Sequence, residues 1–313
     1  MSEIPTNTPL DARGPNPLVL RLKALRAFSL PVSMLPVPAA AAAILPWRQW
    51  DWAVLIAATL GAGLLHLTGN LLNDYFDYRS GVDRKLDEDD NRPGRLLVRG
   101  QLRPREVLAE ALLCAAAAAP LVAFLVWRVG PGLLWFALAG AVGLYIYTGP
   151  PLHLKYRALG EVNIFLVFGP LLTVGAAYSQ TGRIEWSVLP LSVAIGCLTT
   201  AVLVGNNLRD ADEDASGKIR TLAHVIGVPA LRGVYAAVTV GPVIGLAAVG
   251  ALAAAGAIVA PRLLLAAPLT LPLLAAPLRA ALAGRRLPDI DARTAKFVTA
   301  VLALVIVACI VGV

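Results

Sequence analysis

Two stretches rich in asparagine and aspartate stand at the ends of two apolar segments of this sequence. The first runs Asn70-Leu-Leu-Asn73-Asp74-Tyr-Phe-Asp77-Tyr-Arg-Ser-Gly81-Val-Asp83, and the second runs Asn206-Asn-Leu-Arg-Asp210-Ala-Asp-Glu-Asp214. Residues three or four apart share one face of a helix, so each stretch predicts a row of oxygen ligands. Helix capping explains one polar residue at a helix end, and it leaves two similar rows of three unexplained.

The ligand atoms of both rows are oxygens, which points to a hard cation. Mg²⁺ binds carboxylates, keeps several waters and shares itself with substrate phosphates. Zinc is disfavoured, because the three cysteines are not paired and His66, His153 and His224 are scattered along the chain. We expect the first helix to break at Gly81, just before the last aspartate of its row.

Basic residues lie close to both rows in the sequence. They are Arg79, Arg84, Lys85, Arg92, Arg95 and Arg99 after the first row, Arg209, Lys218 and Arg220 around the second, and Lys155 and Arg157 between them. Acids that hold a metal beside bases that hold anions predict a receptor for a polyphosphate. Such a site favours the departure of diphosphate, because preorganised cations stabilise the negative charge that develops on a leaving group.

The elements that must position these residues are membrane-spanning helices. Hydrophobic residues make up 58% of the 313 residues and charged residues only 15%, which is too little charge for a soluble protein of this length. A helix needs about 20 apolar residues to cross a bilayer. The sequence predicts an all-α polytopic membrane protein with nine such helices, near 27–46, 52–72, 107–127, 131–148, 161–178, 186–205, 233–256, 260–283 and 294–313.

The distribution of basic residues predicts the orientation of this bundle. If the N-terminus is cytoplasmic, the four outer loops contain or border only Arg48, Arg128, Arg183 and Arg262. The other 23 of the 27 lysines and arginines then lie on the cytoplasmic side, as the positive-inside rule requires. Both acid rows fall on that side as well. We interpret the net charge of +7 as basic residues that orient the protein in the membrane and contact anionic lipid or phosphate. We expect no nucleic-acid partner.

The predicted organisation is a polar tail over residues 1–26 and one transmembrane domain over residues 27–313. The long polar loops are expected at about 73–106 and 206–232, each beginning within an acid row. The eighth span contains Pro261, Pro268, Pro272 and Pro277, and it is therefore expected to be kinked. The sequence predicts a multi-pass protein of the cell membrane whose chemistry faces the cytoplasm.

At these residues the sequence resembles the UbiA superfamily of intramembrane prenyltransferases, over most of its length. Within the superfamily it is most similar to the MenA-type enzymes, which prenylate 1,4-dihydroxy-2-naphthoate on the way to menaquinone. Three stretches carry the resemblance: residues 73–83 with Asp77 and Asp83 six apart, Lys155-Tyr-Arg-Ala-Leu-Gly-Glu161 after a Tyr-Thr-Gly-Pro-Pro turn, and Asn206 through Thr221-Leu-Ala. Pro93-Gly-Arg95 and Gly100 also keep the Pro-x-Arg…Gly form of the family.

The resemblance implies a UbiA-like bundle and a Mg²⁺-dependent enzyme that moves a polyprenyl group from polyprenyl diphosphate to an aromatic acceptor, among membrane lipids. It implies metal ligation by Asn70, Asn73, Asp74, Asp77, Asp83, Asn206, Asp210 and Asp214. It implies diphosphate binding by Arg95, Lys155, Arg157, Lys218 and Arg220. Lys155 and Arg157 count as catalytic for that reason, and the ring of Tyr145 or Tyr147 stabilises an allylic cation. Glu161 is a candidate base for the acceptor.

Other functions stay open at this point. A different acceptor is possible within the same superfamily, such as a 4-hydroxybenzoate-like ring or a lipid alcohol. A cation transporter also uses intramembrane acids, but it predicts them near mid-membrane, whereas here they cluster at one face with basic residues. The Asp-Gly-x-x-Ala-Arg signature of the CDP-alcohol phosphotransferases is absent from the sequence.

Overall fold

The structure, a computed structural model, describes residues 16–82, 95–216, 220–285 and 287–312. These residues form helices and no β-strand, which confirms the predicted all-α class. The α-helices are α1 (Pro17–Ala24), α2 (Leu30–Met34), α3 (Pro36–Ile44), α4 (Trp52–Ser80), α5 (Pro104–Val129), α6 (Gly132–Thr148), α7 (Gly160–Leu166), α8 (Leu172–Thr181), α9 (Leu189–Ser216), α10 (Leu222–Ile226), α11 (Val228–Ala254), α12 (Leu271–Leu282) and α13 (Ile290–Val311).

Several of these helices, alone or joined end to end, form stretches that are long and apolar enough to cross a bilayer. Within the described residues there are 8 such stretches, and each corresponds to a predicted span. They are Ala27–Ile44, Trp52–Ser80, Pro104–Val129, Gly160–Thr181, Trp186–Ala211, Val228–Ala254, Arg262–Leu282 and Ile290–Val311. The remaining predicted span coincides with α6, an apolar helix of 17 residues. The polytopic architecture is confirmed, while the count of nine and the side of the N-terminus stay predictions.

The main core of the bundle lies where α3, α9, α11 and α13 pack together. Ala39–Ala42 of α3 are almost completely buried, and small side chains of this kind let neighbouring helices approach closely. Ile195 and Leu198 of α9 pack in the same cluster as Val301 and Leu302 of α13. This packing fixes α9, which carries the second acid row, between several neighbours.

Both acid-bearing helices start at the same end of the bundle. The backbone N–H of Asp51, just before α4, donates to Oε1 of Gln180 at the end of α8, and Nε2 of Gln180 donates back to the Asp51 carbonyl. The chain then turns through Trp186–Val188 into α9. Asp74 stands about 33 Å along α4 and Asp210 about 32 Å along α9, so both lie near one edge of a hydrocarbon core of about 30 Å.

The polar loops begin later than the sequence predicts. Helix α4 continues through the first acid row to Ser80, and α9 continues through the second row to Ser216. The predicted loop starts at 73 and 206 are therefore wrong, because the tertiary packing of both helices outweighs the weak helix propensity of asparagine and aspartate. Gly81 does end α4, as predicted, with a left-handed φ of 76°.

Proline shapes two helices around the bundle. The segment Val167–Leu171 between α7 and α8 is a π-helical turn that contains Pro170, which lacks the N–H needed for a regular helix. The predicted kink of the eighth span is confirmed as a 3₁₀ segment, Arg262–Thr270, followed by α12. The first of these irregularities positions Phe168 at the cavity described below.

Helix α1 lies within residues 1–26, which the sequence predicts as a polar tail, and it packs against α4. Leu20 and Ala24 of α1 are buried in a small cluster with Leu71 of α4 and Leu96 and Leu97. The chain then passes through the 3₁₀ turn Ala27–Ser29 into α2. This packing brings Arg26, the residue before that turn, to the acid rows.

Candidate active site

A cavity of about 240 Å³ lies between the acid-bearing ends of α4 and α9. Asp74 and Asp77 of α4 and Asp210 of α9 all line it, so the two acid rows meet on one space. Further walls come from α6, α7, the Ala27–Ser29 turn, the 3₁₀ turn Leu154–Tyr156 and the start of α13. The convergence of the two rows follows from the common origin and similar reach of α4 and α9.

The first acid row is held by a network of buried side chains. Asp74 forms an ion pair with Arg26. The ammonium of Lys155 lies 2.5 Å from Oδ2 of Asp77 and 3.1 Å from Oδ1 of Asn73. The hydroxyl of Tyr156 donates to Oδ1 of Asp77 at 2.5 Å. Both oxygens of Asp77 are thereby matched by donors from the Leu154–Tyr156 turn.

The charges of Lys155 and Tyr156 are fixed by this network. Burial alone would lower the pKa of Lys155, but the adjacent Asp77 carboxylate outweighs burial and raises the pKa above its ordinary value. Burial and the same carboxylate raise the pKa of the Tyr156 hydroxyl. Lys155 therefore stays cationic and Tyr156 stays protonated at neutral pH.

The second acid row is held by an arginine between two carboxylates. Nε and Nη2 of Arg209 contact the two oxygens of Asp210 at 2.8 Å and 2.9 Å, a bidentate arrangement. Nη1 of the same guanidinium lies 2.9 Å from Oδ2 of Asp291 at the start of α13. Arg209 thus joins α9 to α13 on the wall of the cavity.

The donor set of the cavity fits a Mg²⁺ ion that is shared with a phosphate ligand. Among the described residues, no three aspartate, glutamate, histidine or cysteine side chains are clustered closely enough to hold a metal ion alone. Oδ1 of Asn206 is buried on this cavity and finds no hydrogen-bond partner in the described part of the chain. A buried oxygen without a donor is costly, and a cation or its bound water would satisfy it.

The structure brings most of the predicted site residues to this cavity. The residues that line it are Asn70, Asn73, Asp74, Asp77, Arg95, Tyr147, Lys155, Asn206 and Asp210. Asp83 and Lys218 lie outside the described residues, as does the side chain of Asp214 on α9. Their roles stay predictions.

Four predicted residues lie elsewhere. Tyr145 is 40% exposed and is not among the described residues that line the cavity. Arg157 and Arg220 are also outside this lining; both are exposed, and their backbones form a β-bridge with each other. Glu161 is buried behind the cavity, where its Oε1 accepts from Nδ2 of Asn207 at 2.6 Å. These positions favour Tyr147 over Tyr145 as the aromatic group inside the cavity.

Several residues of the site were not predicted. Arg26 and Asp291 line the cavity, and each reaches it from a segment for which the sequence predicts no role in the site. Asp291 lies 81 residues beyond Asp210 in the sequence, and no spacing rule joins them. Asn207 and Tyr156 lie inside the motifs quoted for the resemblance, which was the available signal, and Arg209 is among the basic residues predicted around the second row.

A second cavity of about 130 Å³ extends from the first into the bundle. The two cavities share His66, Leu144 and Phe168, so these three residues form the boundary between them. The walls of the second cavity are mostly aliphatic and glycine residues of α4, α5, α6 and α8. An extended apolar chain can therefore lie below the charged cavity.

The fold and the two cavities define a helical membrane protein that gathers carboxylates, amides and cations at one end of its bundle, next to an apolar space. The profile of the UbiA prenyltransferase family matches residues 34–307, and the chain belongs to this family. The predicted resemblance is thereby confirmed, and membership of an enzyme family argues against the cation transporter.

Relatives of two kinds are similar to the chain. A 1,4-dihydroxy-2-naphthoate octaprenyltransferase of Mycobacterium tuberculosis is 36% identical over 217 residues, which cover 67% of this chain and 70% of that protein. A UbiA prenyltransferase domain-containing protein 1 homolog of Drosophila melanogaster is 33% identical over 231 residues, which cover 71% of this chain. The chain spans only 62% of the length of the Drosophila protein.

Solved structures of similar fold come from archaea. A UbiA homolog from Archaeoglobus fulgidus bound to DMAPP and Mg²⁺ has a TM-score of 0.64 at 16% identity, covering 94% of this chain and 99% of that one. An apo UbiA homolog from Aeropyrum pernix K1 has a TM-score of 0.60 at 19% identity, covering 91% and 96%. These structures confirm the UbiA-like bundle.

Proposed function

We propose that this protein is a Mg²⁺-dependent prenyltransferase that moves a polyprenyl group from polyprenyl diphosphate to 1,4-dihydroxy-2-naphthoate. The observation that carries the proposal is the meeting of two acid rows with Arg26, Lys155 and Arg209 on one cavity, next to an apolar one. Carboxylates suit a metal, cations suit a diphosphate, and an apolar space suits a prenyl chain. The family and the Mg²⁺ and DMAPP bound by the Archaeoglobus homolog support the same reading.

The acids and amides would hold the metal. We assign Asp74, Asp77 and Asp83 to one ion and Asp210 and Asp214 to a second, with Asn70, Asn73 and Asn206 in support. Bound Mg²⁺ neutralises charge on the diphosphate and makes it a better leaving group. Since carboxylate oxygens are Mg²⁺ ligands, the cations now paired with Asp74, Asp77 and Asp210 become available to phosphate oxygens.

The basic residues would hold the diphosphate. Lys155 and Arg95 line the cavity, and Arg26 and Arg209 add two guanidinium groups, which can contact phosphate oxygens in pairs. Arg157, Lys218 and Arg220 keep the predicted role of binding the diphosphate, and the exposed Arg157 and Arg220 would reach it from outside the described lining. Cations held in place before the reaction stabilise the charge that develops as the C1–O bond breaks.

The aromatic and apolar walls would protect the prenyl cation. Tyr147 lines the charged cavity and Phe168 lines the boundary, and an aromatic face stabilises a nearby cation. The second cavity would house the chain and keep water away from C1, so that the acceptor ring and not water attacks it. With dihydroxynaphthoate as acceptor, the ring carboxylate is lost as CO₂.

The choice of acceptor rests on the naphthoate octaprenyltransferases among the relatives, which include proteins of Mycobacterium tuberculosis, Mycobacterium leprae and Bacillus subtilis. The decisive experiment incubates the purified protein with Mg²⁺, geranylgeranyl diphosphate and dihydroxynaphthoate, and identifies the product by mass spectrometry. We expect a decarboxylated prenylnaphthalenediol. A product with 4-hydroxybenzoate or a lipid alcohol instead would keep the prenyltransferase and overturn this acceptor.

We further propose that the protein lies in the cell membrane with the charged cavity facing the cytoplasm. This orientation rests on the skew of lysine and arginine along the sequence. A cysteine introduced at exposed Arg220 and labelled in intact cells tests it. The proposal requires that an impermeant maleimide reach this position only after the membrane is opened.

A further inference from the structure

His66 stands at the boundary between the two cavities of the site. It lies on α4 one turn before Asn70, on the face that carries Asn70 and Asp74, and it lines both the charged and the apolar cavity. Its ring meets the ring of Phe168 edge-on with centroids 6.0 Å apart. In the mechanism above, the reacting end of the prenyl chain passes this boundary, and His66 has no role there.

The hydrogen bonds of Ser29 define which nitrogen of His66 carries the proton. The hydroxyl of Ser29 donates its single hydrogen to the Arg26 carbonyl at 2.8 Å. We therefore assign the hydrogen of the 2.8 Å contact between Ser29 Oγ and His66 Nε2 to Nε2. A neutral histidine protonated on Nε2 has its lone pair on Nδ1.

The Nδ1 lone pair is available to a ligand. Within the described ranges no hydrogen bond to Nδ1 occurs. Nδ1 is also not among the buried, solvent-inaccessible polar atoms that lack a partner there. The His66 side chain is only partly buried, although it lies inside the bundle, so its exposed part faces the cavities that it lines. Nδ1 of His66 is thus a hydrogen-bond acceptor at the boundary between the charged cavity and the apolar cavity.

We propose that His66 is a catalytic residue that accepts a hydrogen bond from a ring hydroxyl of the aromatic acceptor through Nδ1. This inference rests on the proposed function, because it assumes a hydroxylated ring at the boundary of the two cavities. A hydroxyl that donates to a strong acceptor releases more electron density into its ring. The same contact orients the ring toward C1 of the prenyl chain, whose diphosphate is held by the charged cavity.

The proton and electron pairs balance around His66. An electron pair of the ring, at the carbon that carries the carboxylate and lies next to the contacted hydroxyl, forms the bond to C1, and the C1–O pair leaves with diphosphate. The hydroxyl proton passes to Nδ1, which turns the cationic ring into a neutral ketone. The carboxylate then leaves as CO₂, its bonding pair restores the aromatic ring, and the carbonyl oxygen takes the proton back from His66.

Glu161, the base expected from the sequence, is less suited to this step. It lies behind the cavity wall, where its carboxylate accepts from Asn207, and it is not among the described residues that line either cavity. His66 reaches both cavities and carries an unused acceptor. The two residues can therefore be separated by experiment.

The test is a cycle that removes the histidine and the hydroxyl separately and together. Wild type and His66→Phe are compared on dihydroxynaphthoate and on the two naphthoates that lack one of its hydroxyls. If His66 binds one hydroxyl, its replacement lowers kcat/KM for dihydroxynaphthoate and weakens the binding of this acceptor about tenfold or more. The naphthoate that lacks the contacted hydroxyl cannot form the ketone and is compared by its dissociation constant, on which the replacement then has little effect, because contacting groups are not additive. The KM for prenyl diphosphate is expected to be unchanged.

A second variant tests the assignment of the His66 proton. Ser29→Ala removes the partner of Nε2 and no longer holds the proton there, so we expect it to weaken the coupling between His66 and the hydroxyl without abolishing it. Folding is checked by the rise in unfolding temperature with prenyl diphosphate and Mg²⁺. Where His66→Phe lacks that rise, His66→Leu, which also has no acceptor, replaces it under the same criterion.

The outcomes are distinct. Equal losses of affinity for all three acceptors on replacement of His66, or an undiminished coupling in Ser29→Ala, overturn the role of His66 Nδ1 while the enzyme itself stands. Failure of the wild type to prenylate any of the rings overturns the proposed function instead.

Discussion

Each described carboxylate of the charged cavity contacts a cation, and this pairing sets what individual residues contribute. Arg26 meets Asp74, Lys155 meets Asp77, and Arg209 meets Asp210. Removing one member of a buried pair leaves an uncompensated charge, so such variants are expected to affect both folding and binding. Substitutions that remove the charge but still form the hydrogen bond distinguish the effect on binding from the effect on folding.

Lys155→Gln is expected to lower kcat/KM for prenyl diphosphate by about a hundredfold or more, because a cation that stabilises the leaving group is lost. Steady-state kinetics with varied prenyl diphosphate measures the effect. Arg128→Gln is the control, since Arg128 forms its ion pair with Asp51 at the opposite end of α4. Comparable losses in the two variants would mean that Lys155 acts on the fold and not on the diphosphate.

Glu161→Gln is expected to keep kcat/KM within about threefold of wild type, because the glutamine oxygen still accepts from Asn207 at a net cost near that of one hydrogen bond. Glu161→Leu leaves the Asn207 amide unsatisfied and is expected to lower the free energy of unfolding by about 1–3 kcal/mol. Activity assays and thermal unfolding measure the two effects. An inactive but stable Glu161→Gln would restore Glu161 as the base.

At the scale of elements, α4 extends from the charged cavity along the apolar cavity. A position further from Asp74 on this helix therefore corresponds to a more distal part of a bound prenyl chain. Gly61 is buried on the apolar cavity, and a Cβ placed there would meet nothing within 4 Å. It lies about 20 Å along the helix from Asp74. The space beside Gly61 is therefore open to the distal part of a long chain and out of reach of a short one.

Gly61→Leu is expected to lower kcat/KM for long prenyl diphosphates about tenfold while leaving geranyl diphosphate nearly unchanged, because the new side chain fills the cavity at that depth. Kinetics with donors of increasing length measures the shift. Gly241→Leu on an exposed face of α11, where a Cβ also meets nothing within 4 Å, is the control. Equal losses for short and long donors would contradict this account of the cavity.

The same helices show what the sequence could predict. The spacing of Asn70, Asp74 and Asp77 predicts one face of a helix, and α4 carries all three on the cavity. The end of α4 at Gly81 was also predictable, since glycine adopts the left-handed conformation there. The loop starts at 73 and 206 were wrong, because polar residues suggest a helix end while packing against neighbouring helices decides it.

Residues that meet only in space were beyond prediction. Arg26 lies in the polar segment before the first apolar run of the sequence. It comes close to Asp74 because Leu20 and Ala24 of α1 pack against α4. Asp291 precedes the last span and meets Arg209 through the packing of α13 on α9. Both contacts depend on tertiary structure, which periodicity along one helix does not encode.

At the scale of the whole molecule, the bundle holds opposite charges at one end and an apolar space behind them. Such a site binds its metal and its anionic ligand together, because each neutralises charge that would repel the other. We therefore expect the binding of Mg²⁺ and the binding of prenyl diphosphate to strengthen each other.

Mg²⁺ and prenyl diphosphate together are expected to raise the unfolding temperature by more than the sum of their separate effects, because ligands that bind the folded state stabilise it. Chelation of Mg²⁺ is expected to abolish transfer, and added Mg²⁺ to restore it. Differential scanning fluorimetry and a transfer assay measure both. Full activity in the presence of a chelator would contradict the metal-dependent mechanism.

The account depends most on the two acid rows acting on one diphosphate. The direct measurement is kcat/KM for prenyl transfer in Asp74→Asn, Asp210→Asn and the double variant. We predict that each single substitution lowers kcat/KM by about a hundredfold or more and that the double variant loses little beyond that, because both rows serve one unit. Full prenyl transfer by either purified single variant would contradict the account.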